Sequence, residues 1–122
     1  MGDKFEALRV ATIHTLAGIA KVLGMLPIPI EISADPMDES QIEDLLRARR
    51  LIGEVPMGEV LRAAVNTAII DWMSGLTLGM LADRGDDEDK EWLLTAALVA
   101  MTRCEHEIEF ALDLISGRIS EE

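Results

Sequence analysis

The chain has 122 residues and a formal net charge of -12, which arises from 23 acidic and 11 basic side chains. This length suits one domain with one core. The negative charge argues against direct binding to nucleic acid or to an anionic membrane surface, because phosphate groups would be repelled. Aromatic residues make up only 3% of the chain, so aliphatic side chains must fill the core, a mixture that favours helices over sheets.

The first third of the chain predicts one helix followed by an extended segment. Over residues 3–25, apolar side chains recur at steps of three and four, the period of an amphipathic helix. Residues 27–34 should be extended, because two prolines in this stretch lack a backbone donor and restrict the residue before them. The alternating isoleucines of this segment are expected to pack on the helices: Ile28, Ile30 and Ile32.

Two further helix starts are marked by prolines. Asp35 and Pro36 have the form of an N-cap followed by the first helical residue, which predicts a second helix over 36–53. Pro56 predicts a third helix over 57–82 in the same way. The inner side of the second helix is expected to bury four residues: Ile42, Leu45, Leu46 and Ile52.

The third predicted helix is unusually poor in charge. Between Ala63 and Ala82 its only charged residue is Asp71. A membrane span is disfavoured, because a central Asp costs about 2.5–3.5 kcal/mol on insertion. Since a helix that is apolar all round must be covered all round, the helix is expected either to be central in the bundle or to form a homodimer. The residues expected at that dimer interface are Val60, Ala64, Ile70, Met73 and Met80.

A fourth helix is predicted over 87–116, after an acidic turn and before Gly117. Four helices with short connections predict an all-α fold, a compact four-helix bundle, in a single domain over residues 1–122. The one cysteine, Cys104, excludes an internal disulfide and suits a cytoplasmic protein.

No metal site, cofactor or catalytic motif is predicted. The acidic turn 83–89 lacks the spacing of a calcium-binding EF-hand loop. His14 and His106 lack the Glu three residues earlier that di-iron helical bundles require, since Ala11 and Arg103 stand there. Glycine-rich phosphate loops and nucleophile motifs are absent from the sequence.

The most informative polar pattern is an acidic row on the fourth helix, formed by Glu105, Glu109 and Asp113. Like charges at steps of four repel each other, so local helix stability does not explain the row. Solubility is one interpretation. The other is an electrostatic contact with a basic protein partner, since complementary charge speeds encounter and selects the partner.

These patterns support three functional hypotheses. The leading one is a non-enzymatic, dimeric, acidic module that docks on or inhibits a basic protein, for example one that handles nucleic acid. Immunity proteins and phage-encoded inhibitors resemble it in charge and size only. The second is a small helical enzyme or ligand-binding bundle that uses Arg47 and Arg50, or a polar core site at Asp71 and Asn66. The third is a structural subunit of a larger assembly.

Overall fold

Four α-helices make up the protein in the computed structural model, which describes residues 2–35 and 37–121. No strand occurs within these two ranges. The helices are α1 (Gly2–Gly24), α2 (Gln41–Ile52), α3 (Glu59–Arg84) and α4 (Asp87–Ser116). The all-α bundle predicted from apolar periodicity is therefore confirmed.

The helix α3 packs against each of the other three helices, most extensively against α4. Two glycines permit its close approach to its neighbours. A Cβ atom at Gly75 would lie 2.7 Å from Met101 Cε and 3.2 Å from the carbonyl oxygen of Ala97, both on α4. A Cβ atom at Gly79 would lie 2.8 Å from Leu8 Cδ2 on α1. The absence of side chains at these positions thus sets the distances from α3 to α4 and α1.

Trp72 is the largest fully buried side chain of the core. Its indole N–H donates a 3.0 Å hydrogen bond to the carbonyl oxygen of Thr12, so the polar edge of the ring is satisfied and α3 is tied to α1. Most of the other fully buried side chains are aliphatic, as the composition predicts: Leu16, Ile19, Leu23, Leu45, Ile52, Ile69, Leu94 and Val65.

The ends of α4 agree with the sequence signals. Asp86 precedes the helix, and its carboxylate accepts a 3.2 Å hydrogen bond from the backbone N–H of Asp89. Gly117 follows the helix with a φ of 78°, a left-handed conformation that costs glycine little. Because both caps are local features, the range 87–116 could be predicted correctly.

The start of α2 was predicted five residues too early. Pro36 lies outside the described residues, but Asp35 does not cap α2: its carboxylate accepts a 2.9 Å hydrogen bond from the N–H of Met37. Asp38 accepts a similar bond from the N–H of Ser40. Such local side-chain bonds form turns that compete with a helix, so α2 begins only at Gln41.

The helix α3 also differs from its predicted bounds, since it begins at Glu59 and continues to Arg84. Arg62 in its first turn donates hydrogen bonds to the carbonyl oxygens of Ile52, at 2.6 Å, and Val55, at 3.3 Å. The residues around Pro56 are thereby held as a connection between α2 and α3 rather than as helix. The guanidinium thus bonds the carbonyl oxygen of Ile52, the last residue of α2, and that of Val55 in the connection.

Three apolar side chains that were expected in the core are exposed instead. Ile30 of the extended segment is buried, but Ile28 is 55% exposed. On α2, Leu45 and Ile52 are buried as predicted, whereas Ile42 and Leu46 are 39% and 41% exposed. The short helix α2 covers the bundle with one narrow stripe, so its remaining apolar residues face outward.

Length and hydropathy single out one helix among the described residues as long and apolar enough to cross a membrane, residues 3–24 of α1. A buried core helix and a signal sequence pass the same test. The charge-poor α3, considered as a span from its sequence, does not pass it.

Candidate functional site

Two residues of the acidic row, Glu105 and Glu109, line a groove between α1 and α4 with a volume of about 320 Å³. Ile108 and Leu112 of α4 provide apolar surface in this groove. The α1 side of the groove consists of small, polar and basic residues: His14, Thr15, Ala17, Gly18 and Lys21. We call this feature the α1–α4 groove.

Gly18 shapes the α1–α4 groove, because it brings the two helices close at this point. A Cβ atom at Gly18 would lie 3.1 Å from Cδ1 of Ile108. Thr15, one turn earlier on α1, is buried, and its hydroxyl donates a 2.6 Å hydrogen bond to the carbonyl oxygen of Ala11. The inner wall of the groove is therefore closely packed and its polar group is satisfied.

The carboxylates of the groove are available to a partner. Both Glu105 and Glu109 are exposed, and no ion pair within 4.0 Å joins either to another described residue. Lys21 and His14 line the opposite side of the same groove and are also exposed. A ligand in the groove would thus meet negative charge on α4 and a lysine on α1.

The third residue of the acidic row has a different environment. Asp113 lies 3.3 Å from the Nε atom of Arg118, with which it forms an ion pair just beyond the end of α4. Successive residues at steps of four turn by about 40° around a helix, so the row winds away from α1 along its length. The groove therefore contains two of the three predicted carboxylates.

The α1 residues of the groove were missed by sequence reasoning. His14 was considered only as a metal ligand, and Lys21 was given no role in a site. No local signal could identify them, because their proximity to Glu105 and Glu109 depends on which face of α1 meets α4.

The predicted polar core residues lie apart from each other. Asp71 is 7% exposed and lies at the junction of α3 and α4, with Oδ1 4.0 Å from the guanidinium of Arg103. Its Oδ2 atom is buried and has no hydrogen-bond partner among the described residues, and the same holds for Oδ1 of Asn66. Five residues correspond to about 140° around a helix, so Asp71 and Asn66 do not form one site.

Cys104 lies near Asp71 in the core. Its thiol donates to the carbonyl oxygen of Ala68 at 3.2 Å. Burial raises the pKa of the Cys104 thiol to about 12, and the negative charge of Asp71 adds to the rise. The thiolate is the nucleophilic form of cysteine, so this thiol is chemically inert at neutral pH.

Arg47 and Arg50, the two arginines of the second functional hypothesis, do not form one site. Arg47 donates a 2.8 Å hydrogen bond to the carbonyl oxygen of Glu31 and thereby holds the extended segment against α2. Arg50 lines a shallow depression with Arg49 and Leu46. The pair does not converge on a common ligand position.

A second groove, of about 400 Å³, lies beside Trp72 and is lined by residues of α1 and α3, by the first residue of α2 and by the turn before it. Ile13, Leu16 and Leu76 give it an apolar surface. Its one cationic side chain, Arg9, is held by an exposed ion pair with Glu6, which lowers the pKa of that carboxyl. This second groove therefore offers an apolar surface but, among the described residues that line it, no free cationic group to bind a ligand.

Three of the predicted dimer residues, Ile70, Met73 and Met80, lie on the side of α3 that faces away from the other helices, whereas Val60 lies about 160° around the helix axis from Met80. Val60, Ile70 and Met80 are 41%, 47% and 47% exposed, and Met73 is half-buried. Ala64 is 3% exposed and belongs to the core of the monomer, so it does not contribute to this surface. It lies about 120° around the helix axis from Ile70, on the inner side.

Known proteins offer no comparison for these surfaces. No family, curated protein or solved structure matches the chain.

Proposed function

We propose that the protein is a non-enzymatic binding module that docks on a basic protein partner through the α1–α4 groove. The observation that carries this proposal is that the carboxylates of Glu105 and Glu109 are exposed, form no ion pair with another described residue, and lie beside the apolar surface of Ile108 and Leu112. Lysine and arginine have long apolar stems and charged heads. Such a side chain could lay its stem on the apolar surface and place its head between the two carboxylates.

The charge of the whole molecule supports the same interpretation. A net charge of -12 creates a field that attracts basic partners over a long range and repels acidic ones. Complementary charge acts mainly on the rate of encounter and on partner choice. In this proposal, the field brings the partner in and the groove determines where it binds. A partner that normally holds phosphates would be inhibited if the carboxylates occupied its phosphate site.

Lys21 limits which partners fit. It faces Glu105 and Glu109 across the groove, so a cationic side chain must approach from the α4 side to avoid it. Repulsive elements of this kind add specificity, because they weaken binding in the wrong orientation. The groove should therefore select a particular arrangement of basic residues rather than any basic surface.

The test compares proteins captured from a lysate of the source cell by three immobilised chains. These are the wild type, the groove variant Glu105→Lys with Glu109→Lys, and the control variant Glu43→Lys with Glu54→Lys. Both variants change the net charge equally, and all four substituted residues are exposed. We expect a basic protein that binds the wild type and the control and binds the groove variant at least about tenfold more weakly. Equal capture by the groove variant would contradict the proposal.

A further inference from the structure

We propose that the outward side of α3 binds the same side of a second copy of this chain, with the two α3 helices antiparallel. This inference is independent of the proposed function, because the α1–α4 groove lies on other helices. The surface consists of six residues, which we call the α3 seam: Ala63, Asn66, Ile70, Met73, Thr77 and Met80.

The α3 seam is an uncharged strip on a strongly acidic molecule. Ile70 and Met80 are each 47% exposed, and Ala63 and Thr77 are exposed as well. Asp71, the one charged residue between Ala63 and Ala82, is buried on another side of the helix. Two copies that each carry a charge of -12 repel one another least where neither presents a charge. The uncharged outward side of α3, which includes the seam, is therefore where a second copy can approach.

The spacing of the seam suits a partner helix. Its members alternate at steps of three and four, the spacing of the contact positions in helices that pack side by side. From Ala63 to Met80 the strip extends over about 26 Å at 1.5 Å per residue. A surface of this shape fits a straight helix of similar length.

Self-complementarity identifies that helix as a second α3. Consider an antiparallel pair whose two-fold axis crosses the interface at the level midway between residues 71 and 72. Each residue on one side of that level then faces the residue of the second copy that lies equally far on the other side. The small Ala63 then faces the large Met80, the half-buried Asn66 faces Thr77, whose hydroxyl donates to the carbonyl oxygen of Met73 in its own helix, and Ile70 faces Met73. Each of the three contacts occurs twice, as a two-fold interface requires.

The charged residues at the two ends of α3 also favour this antiparallel pairing. Glu59 at the start faces Arg84 at the end of the partner helix, so opposite charges meet twice. Both residues are exposed, and the Glu59 side chain keeps 90% of its accessible surface although Arg62 of the same chain lies 3.8 Å from its carboxylate. A parallel pair would instead bring Glu59 against Glu59 and Arg84 against Arg84. It would also place Ala63 against Ala63, which leaves a gap, so the antiparallel arrangement is favoured.

Disulfide trapping tests the register directly. In a Cys104→Ala background, the chains Asn66→Cys and Thr77→Cys are oxidised separately and as a mixture. We expect a disulfide-linked dimer only in the mixture, because residue 66 faces residue 77 of the second copy. Disulfides between identical chains would indicate a parallel or unrelated contact and overturn the proposal, and so would the absence of any cross-link.

Sedimentation equilibrium tests whether the contact exists in the protein without added cysteines. We expect the wild type to be a dimer. Ile70→Glu should raise its dissociation constant at least about tenfold, or 1.4 kcal/mol, since it places charge at the centre of the seam. The matched control is Val10→Glu, because Val10 is 53% exposed on the outer side of α1. This control should leave the dimer unchanged. A monomeric wild type, or a dimer equally sensitive to both substitutions, would overturn the proposal.

Discussion

Asp71 is a buried carboxylate whose two oxygen atoms have different surroundings. Its position in a charge-poor stretch identified it from the sequence as the polar residue of the core. Only the fold shows that one carboxylate oxygen lies 4.0 Å from Arg103 while the other has no partner among the described residues. The pairing depends on how α3 and α4 pack, which local sequence does not encode. Asp71 is thus predictable as a buried residue but not as part of a site.

Cys104 provides a pH-dependent prediction at the same scale. Its pKa is raised to about 12 in the folded protein, against about 8.5 in an unfolded chain. Between these values unfolding releases a proton, so the free energy of unfolding must fall as the pH rises through this window, whereas below it the thiol makes no pH-dependent contribution.

Urea unfolding at pH about 8 and about 10 measures this fall. The wild type should lose more stability between the two pH values than Cys104→Ala, which has no thiol to ionise. The comparison between the two proteins removes the effect of lysines that titrate in the same range. Equal losses in both proteins would contradict the assigned pKa.

The helices show which parts of the fold the sequence specifies locally. The helix α4 has a carboxylate cap at one end and a glycine at the other, and its bounds were predicted correctly. For α2, the same types of residue misled the prediction, because Asp35 and Asp38 bond to nearby backbone N–H groups and form turns instead. A residue that can cap a helix can also hold a turn, and the choice depends on how the next residues pack.

The two glycines of α3 provide a prediction at the scale of the helix. Replacing glycine by alanine inside a helix contributes about 1 kcal/mol of helix propensity. At Gly75 the new methyl group would meet the backbone oxygen of Ala97 at 3.2 Å and Met101 at 2.7 Å, and overpacking of this kind costs about 1–3 kcal/mol. At Gly79 it would meet only the Leu8 side chain, with Cδ2 at 2.8 Å, and the end of a side chain can shift more readily than backbone.

We therefore expect Gly75→Ala to destabilise the protein and Gly79→Ala to be neutral or stabilising. Thermal unfolding of the two variants beside the wild type measures the difference. A Gly75→Ala protein as stable as Gly79→Ala would show that α3 and α4 do not approach as closely as described.

The molecule has two distinctive surfaces, an acidic one in its C-terminal third and an uncharged one along α3. Only some features of each could be predicted from the sequence. The excess of acid in residues 83–122 and the absence of charge along α3 are visible in the sequence, and both led to hypotheses about partners. Their geometry was not visible. The acidic row contributes two of its three residues to a groove, and α1 supplies the other wall with Lys21. Ala64, expected at a dimer interface, is in the core instead.

The proposed binding of a basic partner by Glu105 and Glu109 makes the affinity depend on salt, and this dependence can be measured. Titration calorimetry with the captured partner would compare the wild type with Glu105→Gln and Glu109→Gln combined. We expect the wild-type affinity to fall as salt rises, and the variant to bind more weakly with a shallower dependence on salt. An affinity independent of salt, or equal affinities for the two proteins at low salt, would contradict a role for these carboxylates.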